Sequence, residues 1–165
     1  MIRWLAPSLA LSCSGCFSLM ADAQAGAVSS ARFEAGRYGA AVQAAGGLNI
    51  GADGAEHLGP GGDVRVKWTG DMQQLGLGPH LYWLHSAWTT PYARVGATAI
   101  ELGVVDGDTS IGALGPRAEL GMFFGLFVIS AFAEYDLRWT HQPHEGFVGL
   151  MLGYGTAVTT APLHD

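Results

Sequence analysis

The chain has 165 residues, of which 13% are charged, 49% are hydrophobic and 25 residues are glycine. Typical soluble domains carry roughly 25% charged residues, so this low charge predicts that part of the outer surface does not face water. The net charge of −6, with Lys67 as the only lysine, excludes a basic stripe that could neutralise the phosphates of a nucleic acid.

The first 25 residues have the pattern of a secretory signal peptide. Arg3 gives a positive start, residues 4–20 are mostly apolar, and Ala21-Asp22-Ala23 and Ala23-Gln24-Ala25 each supply a small-residue cleavage site. Pro7 and several serines interrupt the apolar stretch, which disfavours a permanent membrane helix. We therefore predict a signal peptide over residues 1–25 and one mature domain over residues 26–165.

Ser14-Gly15-Cys16 resembles the end of a bacterial lipobox, which gives an alternative end of the export segment, just before Cys16. Cys13 stands where the lipobox pattern has leucine or a similar residue, so ordinary cleavage is the first prediction and lipidation of Cys16 the second. Both cysteines of the chain lie in this segment. The mature domain is therefore predicted to contain no disulfide, although its compartment is oxidising.

Period-two segments bounded by turn residues follow the export segment and predict strands. The clearest is Phe127–Trp139, in which the odd positions are all apolar or aromatic and the even positions include Glu134, Asp136 and Arg138. Further strands are predicted over residues 31–45, 63–68, 75–85, 92–104, 110–124 and 146–158. An eighth strand would come from splitting residues 31–62.

Glycine and aspartate mark the connections between these strands. Turns are predicted at Thr69-Gly70-Asp71, Asp106-Gly107-Asp108 and Phe124-Gly125-Leu126. A longer loop is predicted over residues 46–62. With seven strands counted, the tight turn at Gly125 falls where a long connection is due.

The strand pattern fits a barrel whose apolar faces point outward into lipid. The inward faces would then carry an ion-pair network of Arg117, Glu119, Glu134, Asp136 and Arg138, together with Arg37, Arg65, Lys67 and Arg94. Four aromatic residues, Trp68, Trp83, Tyr135 and Trp139, lie near strand ends, where interfacial girdles are expected.

With its export signal and Gly-rich alternating strands, the chain resembles the small outer-membrane β-barrel proteins of Gram-negative bacteria. The resemblance covers most of residues 31–158. It implies an all-β fold, a small antiparallel up-and-down β-barrel of about eight strands, located in the outer membrane of the cell envelope. It also implies membrane lipid as the partner, a structural or passive role without enzymatic activity, and no cofactor. No protein partner is predicted.

Two alternatives stay open. The faces could be inverted, giving a periplasmic or lipid-anchored β-domain that binds an apolar ligand inside. The chain could also be a barrel enzyme that modifies lipid with His85 and Ser86, since lipid-modifying barrels of the outer membrane keep a histidine and a serine at a strand end. The sequence contains no carboxylate placed to orient that histidine, no nucleophile elbow and no phosphate-binding glycine loop.

The other polar clusters can be explained without a catalytic or metal-binding role. Glu134, Asp136 and Glu119 could act as an acid–base pair, but an ion-pair network inside a barrel uses the same residues. His141, His144 and Glu145 are close in sequence, yet a zinc site needs three or four ligands with a fixed second shell. We therefore predict no metal site.

Overall fold

The computed structural model describes residues 16–30, 38–52, 56–70, 72–85, 89–112, 114–140 and 144–160. These residues form ten strands: β1 (Cys16–Ser30), β2 (Tyr38–Ala52), β3 (Glu56–Thr69), β4 (Met72–His85), β5 (Thr90–Thr98), β6 (Ile100–Val105), β7 (Asp108–Gly112), β8 (Gly115–Phe124), β9 (Phe127–Asp136) and β10 (Glu145–Thr160). No helix in this part of the chain is long and apolar enough to cross a membrane.

The strands close into one antiparallel barrel. Each of the sequence neighbours β1–β2, β2–β3, β3–β4, β8–β9 and β9–β10 is paired, and β1 also pairs with β10, which closes the ring. The strands β5 and β6 both pair with β4. Ala99 lies between them, and its N–H donates to the Leu77 carbonyl at 2.8 Å. On the far side β5 pairs with β8 and β6 pairs with β7.

Thus β5 and β6 together cross the wall once, as do β7 and β8, and the barrel has eight wall strands. The predicted fold class, a small antiparallel up-and-down barrel, is confirmed. We call the end that holds the start of β1 and the end of β10 the terminal end, and the opposite end the distal end.

The eighth wall strand differs from the sequence prediction. It is β1, whose residues 16–25 lie in the predicted export segment, and it does not come from splitting residues 31–62. The predicted barrel start at residue 26 falls within this strand. Including β1 also moves the Gly125 turn to the terminal end, where the connections at residues 53–55 and 86–89 are short as well.

The predicted loop over residues 46–62 is wrong, because β2 continues to Ala52 and β3 begins at Glu56. Two glycines in this region make room for interior side chains, Gly47 for Tyr82 and Gly61 for His80. Gly47 lies against the ring of Tyr82, and a β-carbon there would collide with that ring. Glycine in a strand marks such a close approach as readily as it marks a loop.

The predicted turns are present at three connections, between β3 and β4, between β6 and β7, and between β8 and β9. Gly70, Gly107 and Gly125 adopt left-handed conformations with φ of 53°, 86° and 64°. Glycine reaches this region without the steric cost that a side chain would bring, which explains the choice of residue at each reversal.

Side chains alternate between the two faces of the wall along every long strand. In β9 the burial pattern is strictly alternating: Phe127, Ile129 and Tyr135 are exposed on the outer face. Glu134 and Asp136 are buried on the inner face. The barrel is therefore apolar outside and polar inside, the arrangement that the alternation over residues 127–139 predicted.

Two apolar clusters occupy the interior, one towards each end. The cluster near the terminal end contains Met20, Tyr82, Leu84, Tyr92, Phe123 and Val128. The cluster towards the distal end contains Val28, Ala41, Met72, Val105, Phe132, Phe147 and Met151. Charged and amide side chains fill the space between and around them.

Candidate functional site

The most unusual feature of the barrel is the concentration of charge in its interior. Among the described residues, the buried charged side chains are those of Arg65, Lys67, Arg94, Arg117 and Arg138 and of Asp22, Asp63, Glu101, Glu119, Glu134, Asp136 and Glu145. They come from seven of the ten strands, at the inward positions of the period-two pattern, and Arg138 lies just after β9. A buried charge is costly unless it is paired, so the contacts between these side chains determine whether the interior is stable.

Glu119 on β8 is the centre of the group nearer the terminal end. Its Oε1 lies 3.2 Å from Arg94 Nη1 and accepts a hydrogen bond of 2.7 Å from the Tyr92 hydroxyl. Its Oε2 lies 2.8 Å from Arg117 Nη2 and accepts from Gln43 Nε2 at 2.9 Å. One carboxylate thus links three strands, β2, β5 and β8, through charged and neutral donors.

Strand β1 supplies further members of this group. Asp22 forms an ion pair with Arg94. Gln24 donates from Nε2 to Asp22 at 2.8 Å and accepts at its Oε1 from the Ser130 hydroxyl at 2.7 Å. Arg94 is therefore shared between Asp22 of β1 and Glu119 of β8.

Asp63 links this group to the next one along the axis. Its carboxylate lies 3.0 Å from Arg65 Nε, 3.1 Å from Arg117 Nη1 and 3.3 Å from His80 Nδ1. Arg65 in turn pairs with Glu134 and donates to the Thr98 hydroxyl at 2.8 Å.

Lys67 is the centre of the group nearer the distal end. Its ammonium lies 2.7 Å from Asp136 Oδ2 and 3.3 Å from Glu101 Oε2, and it also pairs with Glu134. The same ammonium lies 4.2 Å from the centre of the Phe147 ring, a cation–π contact. Three carboxylates from two strands thus share one lysine.

Among the described cations, Arg138 lies nearest the distal end. Its Nη2 lies 3.2 Å from Glu145 Oε2 and 3.8 Å from Asp136 Oδ2, and Glu145 also accepts from the Ser30 hydroxyl. These contacts tie the beginning of β10 to the ends of β9 and β1.

All five residues predicted for the lumen network have buried side chains on the inner face: Arg117, Glu119, Glu134, Asp136 and Arg138. Arg117 contacts Glu119, and its Nε lies 3.9 Å from Glu134. The sequence reasoning missed Asp22, Asp63, Glu101 and Glu145 as their partners. Asp63 and Glu101 stand at inward positions of their strands, which was the available signal, whereas Asp22 lay in the segment predicted to be removed. Arg37 lies outside the described residues.

The outer wall is apolar between two aromatic belts. Tyr38, Trp68, Tyr135 and Trp139 are exposed near the distal end, and Phe124, Phe127 and Tyr154 are exposed near the terminal end, where Trp83 is partly exposed. Leucine, valine, isoleucine and alanine cover the wall between them. Along β9, the step from Phe127 to Tyr135 is roughly 26 Å of strand, or about 20 Å of height at the usual tilt, comparable with the apolar band of membrane barrels.

Of the two residues predicted for a catalytic site, the structure describes only His85. His85 is partly exposed on the outer face at the terminal end of β4, stacked on Trp83 with ring centres 6.1 Å apart. Ser86 lies outside the described residues. The backbone register puts Glu56 of β3 opposite His85.

The remaining predicted ligands and anchors are only partly described. The backbone N–H of Arg138 donates to His144 Nδ1 at 3.1 Å, and His141 lies outside the described residues. The described part of the chain holds no group of three or more His, Cys, Asp or Glu side chains arranged around a metal. Cys16 begins β1, but its side chain lies outside the description, so lipidation stays a prediction.

Comparison with known proteins identifies the fold. No family model matches the chain, and no curated protein sequence matches it. The structure is similar to that of Neisserial surface protein A (NspA), with a TM-score of 0.55 and 17% identity over 87% of this chain and 98% of that one. It is similar also to the outer membrane enzyme PagL, with a TM-score of 0.56 and 14% identity over 82% and 97%.

This is the fold of the small outer-membrane β-barrels. The resemblance predicted from the strand pattern is thus confirmed at the level of fold. The fold and the apolar outer wall with its aromatic belts together support a location in the outer membrane of the cell envelope. The soluble arrangement with apolar faces inward does not match the described residues, because Ile129, Leu150 and Leu152 are exposed on the outside.

Proposed function

We propose that the protein is an exported outer-membrane β-barrel with a structural or passive role in the envelope, without enzymatic activity. Membrane lipid is its partner, and no protein partner is proposed. One observation carries the proposal: among the described charged side chains of the strands, only Asp108, at the distal start of β7, is exposed, and all others point into the lumen. A charge on the lipid side of such a wall costs about 2–4 kcal/mol at the bilayer centre, so this distribution suits a wall bathed in hydrocarbon.

The filled lumen supports a passive role. A barrel of eight strands has an interior just wide enough for its own side chains. Here Tyr82, Tyr92 and Phe123 occupy the interior towards the terminal end, and the ion pairs around Glu119 and Lys67 occupy the middle. We therefore propose that the barrel does not conduct ions or solutes through its centre.

Cell fractionation tests the location. The full chain should be recovered with the outer membrane, be extracted only by detergent, and migrate faster on a gel before boiling than after it. Release into the periplasmic fraction by osmotic shock, without detergent, would overturn the proposal.

Single-channel recording tests the closed lumen. The purified protein, inserted into a planar bilayer, should give no discrete conductance steps in salt solution. A porin of known conductance is the positive control for insertion and recording. Stable steps that scale with the amount of inserted protein would contradict a filled lumen.

A lipid-modifying enzyme is the second candidate, and the position of His85 favours it. The imidazole lies on the outer face beside Trp83, at the membrane edge, where it could reach a lipid ester. One structural neighbour is described as an outer membrane enzyme. The test is the release of fatty acid from phospholipid or lipid A vesicles by the purified barrel and by its His85→Ala variant. Release that is lost in the variant would establish the enzyme and overturn the passive role, whereas no release from either supports the passive role.

A further inference from the structure

The position of β1 conflicts with the two small-residue cleavage sites of the sequence. Cleavage after Ala23 or Ala25 would remove the first half of β1, which begins at Cys16. That half-strand is paired with a neighbouring strand on each of its two sides. It pairs with β2 from Phe17↔Ile50 to Ala25↔Val42 and with β10 from Phe17↔Thr160 to Ala25↔Leu152.

We propose that the mature barrel keeps residues 18–25 and that export processing occurs at or before Ser18. The inference rests on the proposed export of the chain. Without this half-strand, β2 and β10 would face each other across a gap in the terminal half of the wall, with unpaired backbone groups on both edges. An unpaired N–H or C=O is strongly unfavourable in hydrocarbon, where water cannot replace the lost partner.

The inward side chains of the same half-strand are built into the interior. The Ser18 hydroxyl lies 2.9 Å from the Tyr82 hydroxyl, and Met20 belongs to the apolar cluster near the terminal end. Asp22 pairs with Arg94, and Gln24 connects Asp22 to Ser130. Removing this segment would withdraw four buried side chains, among them one of the two carboxylates that Arg94 contacts.

Strand alternation explains why the sequence imitates a cleavage site here. Ala21, Ala23 and Ala25 are exposed on the outer face of β1, while the residues between them point inward. A strand with small lipid-facing residues at every second position necessarily reads A-x-A, the pattern that signal peptidase also requires. The motif is thus accounted for by the barrel wall without any cleavage.

An export signal of ordinary form still fits ahead of β1. Residues 4–11 are mostly apolar, within the 7–15 residues of a typical apolar region, and Ser12, Ser14 and Gly15 are small residues suited to a processing site. Both cleavage by signal peptidase at these residues and lipid-linked processing at Cys16 leave β1 whole.

The intact mass of the protein tests the inference. Cells express the full chain, the protein is purified from each cell fraction, and its first residue is read by mass spectrometry. A first residue at or before Ser18 is expected, and any later first residue overturns the inference. The fraction that holds the protein is scored separately, so a periplasmic protein that begins at or before Ser18 would overturn the membrane barrel and leave the inference standing.

A double variant of the full chain, Ala23→Leu with Ala25→Leu, gives a second test. Leucine blocks both A-x-A sites, but at these outward positions it meets lipid and is compatible with the wall. Processing should be as complete as in the unaltered chain, with the mass changed only by the two side chains. Ala27→Leu, the next outward alanine of β1, controls for the effect of leucine on the wall. Accumulation of unprocessed precursor in the double variant but not in the control would overturn the inference.

Discussion

Lys67 and Asp136 form an ion pair in the barrel interior, with 2.7 Å between Nζ and Oδ2, although 69 residues of chain separate them. The pair joins β3 to β9 across the lumen. Glu101 and Glu134 share the same ammonium, so a single cation balances part of the charge of three buried carboxylates. Lys67 is the only lysine in the chain, and its ammonium is buried between these carboxylates.

Replacing Lys67 by methionine should destabilise the barrel strongly. Methionine keeps most of the volume but leaves Glu101, Glu134 and Asp136 close together without their shared cation. Breaking a buried ion pair by removing one partner typically costs about 3–5 kcal/mol. The free energy of unfolding, measured by urea titration in detergent micelles or vesicles, should fall by an amount in this range.

Two further variants separate charge from packing at this position. Lys67→Arg keeps the charge and should retain more stability than Lys67→Met. Adding Glu134→Gln to Lys67→Met removes one of the repelling carboxylates and should recover part of the loss. Equal destabilisation by all three variants would show that shape, and not charge balance, makes Lys67 important.

Gly121 provides a test of the packing between wall and interior. A β-carbon at this position would lie 2.5 Å from the ring of Tyr92, which also donates to Glu119 and packs against Phe123. Gly121→Ala should therefore push the ring away and cost about 1–3 kcal/mol, the usual penalty of overpacking. The measurement is the unfolding midpoint of the two proteins in the same detergent.

Gly62→Ala is the matched control, because the nearest atom to a β-carbon there is 3.6 Å away, at ordinary contact distance. Both glycines lie in strands without a left-handed conformation. Gly121 faces the interior and Gly62 faces outward, so Gly62→Ala reports the backbone effect of the substitution without interior packing. A drop in stability of the same size in both variants would mean that backbone effects, and not the Tyr92 ring, cause it.

The outer wall should reject charge according to depth. Leu150 is exposed halfway along the lipid-facing side of β10, and Leu150→Arg should cost about 2–4 kcal/mol. Thr109→Arg, near the distal turn, should cost no more than about 1 kcal/mol, because arginine there reaches water. Both values come from refolding into lipid vesicles. Equal costs would contradict a membrane-spanning wall.

Much of this architecture can be predicted from local pattern. The alternation over residues 127–139 identified the lipid face and the inward charges, since strand periodicity is a local property. The glycines of residues 46–62 suggested a loop, because the close approach of Gly47 to the Tyr82 ring depends on a strand that follows later in the chain. The first strand was hidden because small outward residues and a cleavage site share one pattern.

The partners of the inward charges are harder to predict. Which carboxylate meets which cation depends on the stagger between strands all around the barrel, and this is a property of the closed ring. Arg94 meets Asp22, 72 residues earlier, and Glu119, 25 residues later. Sequence alone placed Arg94, Arg117 and Glu119 on inward faces but carried no signal for their pairing.

The coupling between Arg94 and Glu119 can be measured by a double-mutant cycle. Glu119→Gln removes the charge that balances Arg94 and Arg117, and Arg94→Met removes one of the two cations that balance Glu119. Each single change should cost about 3 kcal/mol or more. The double variant should be more stable than the sum of the single effects implies, by about 0.5–3 kcal/mol, the range found for residues in contact.

A second cycle with Asp108→Asn in place of Glu119→Gln supplies the control. Asp108 is exposed at the distal turn, remote from Arg94, so the two changes should add without coupling. Residues more than about 10 Å apart usually show interaction energies below about 0.5 kcal/mol. An Arg94–Glu119 coupling no larger than the control value would mean that the interior charges are balanced collectively, so that this one contact has no strength of its own.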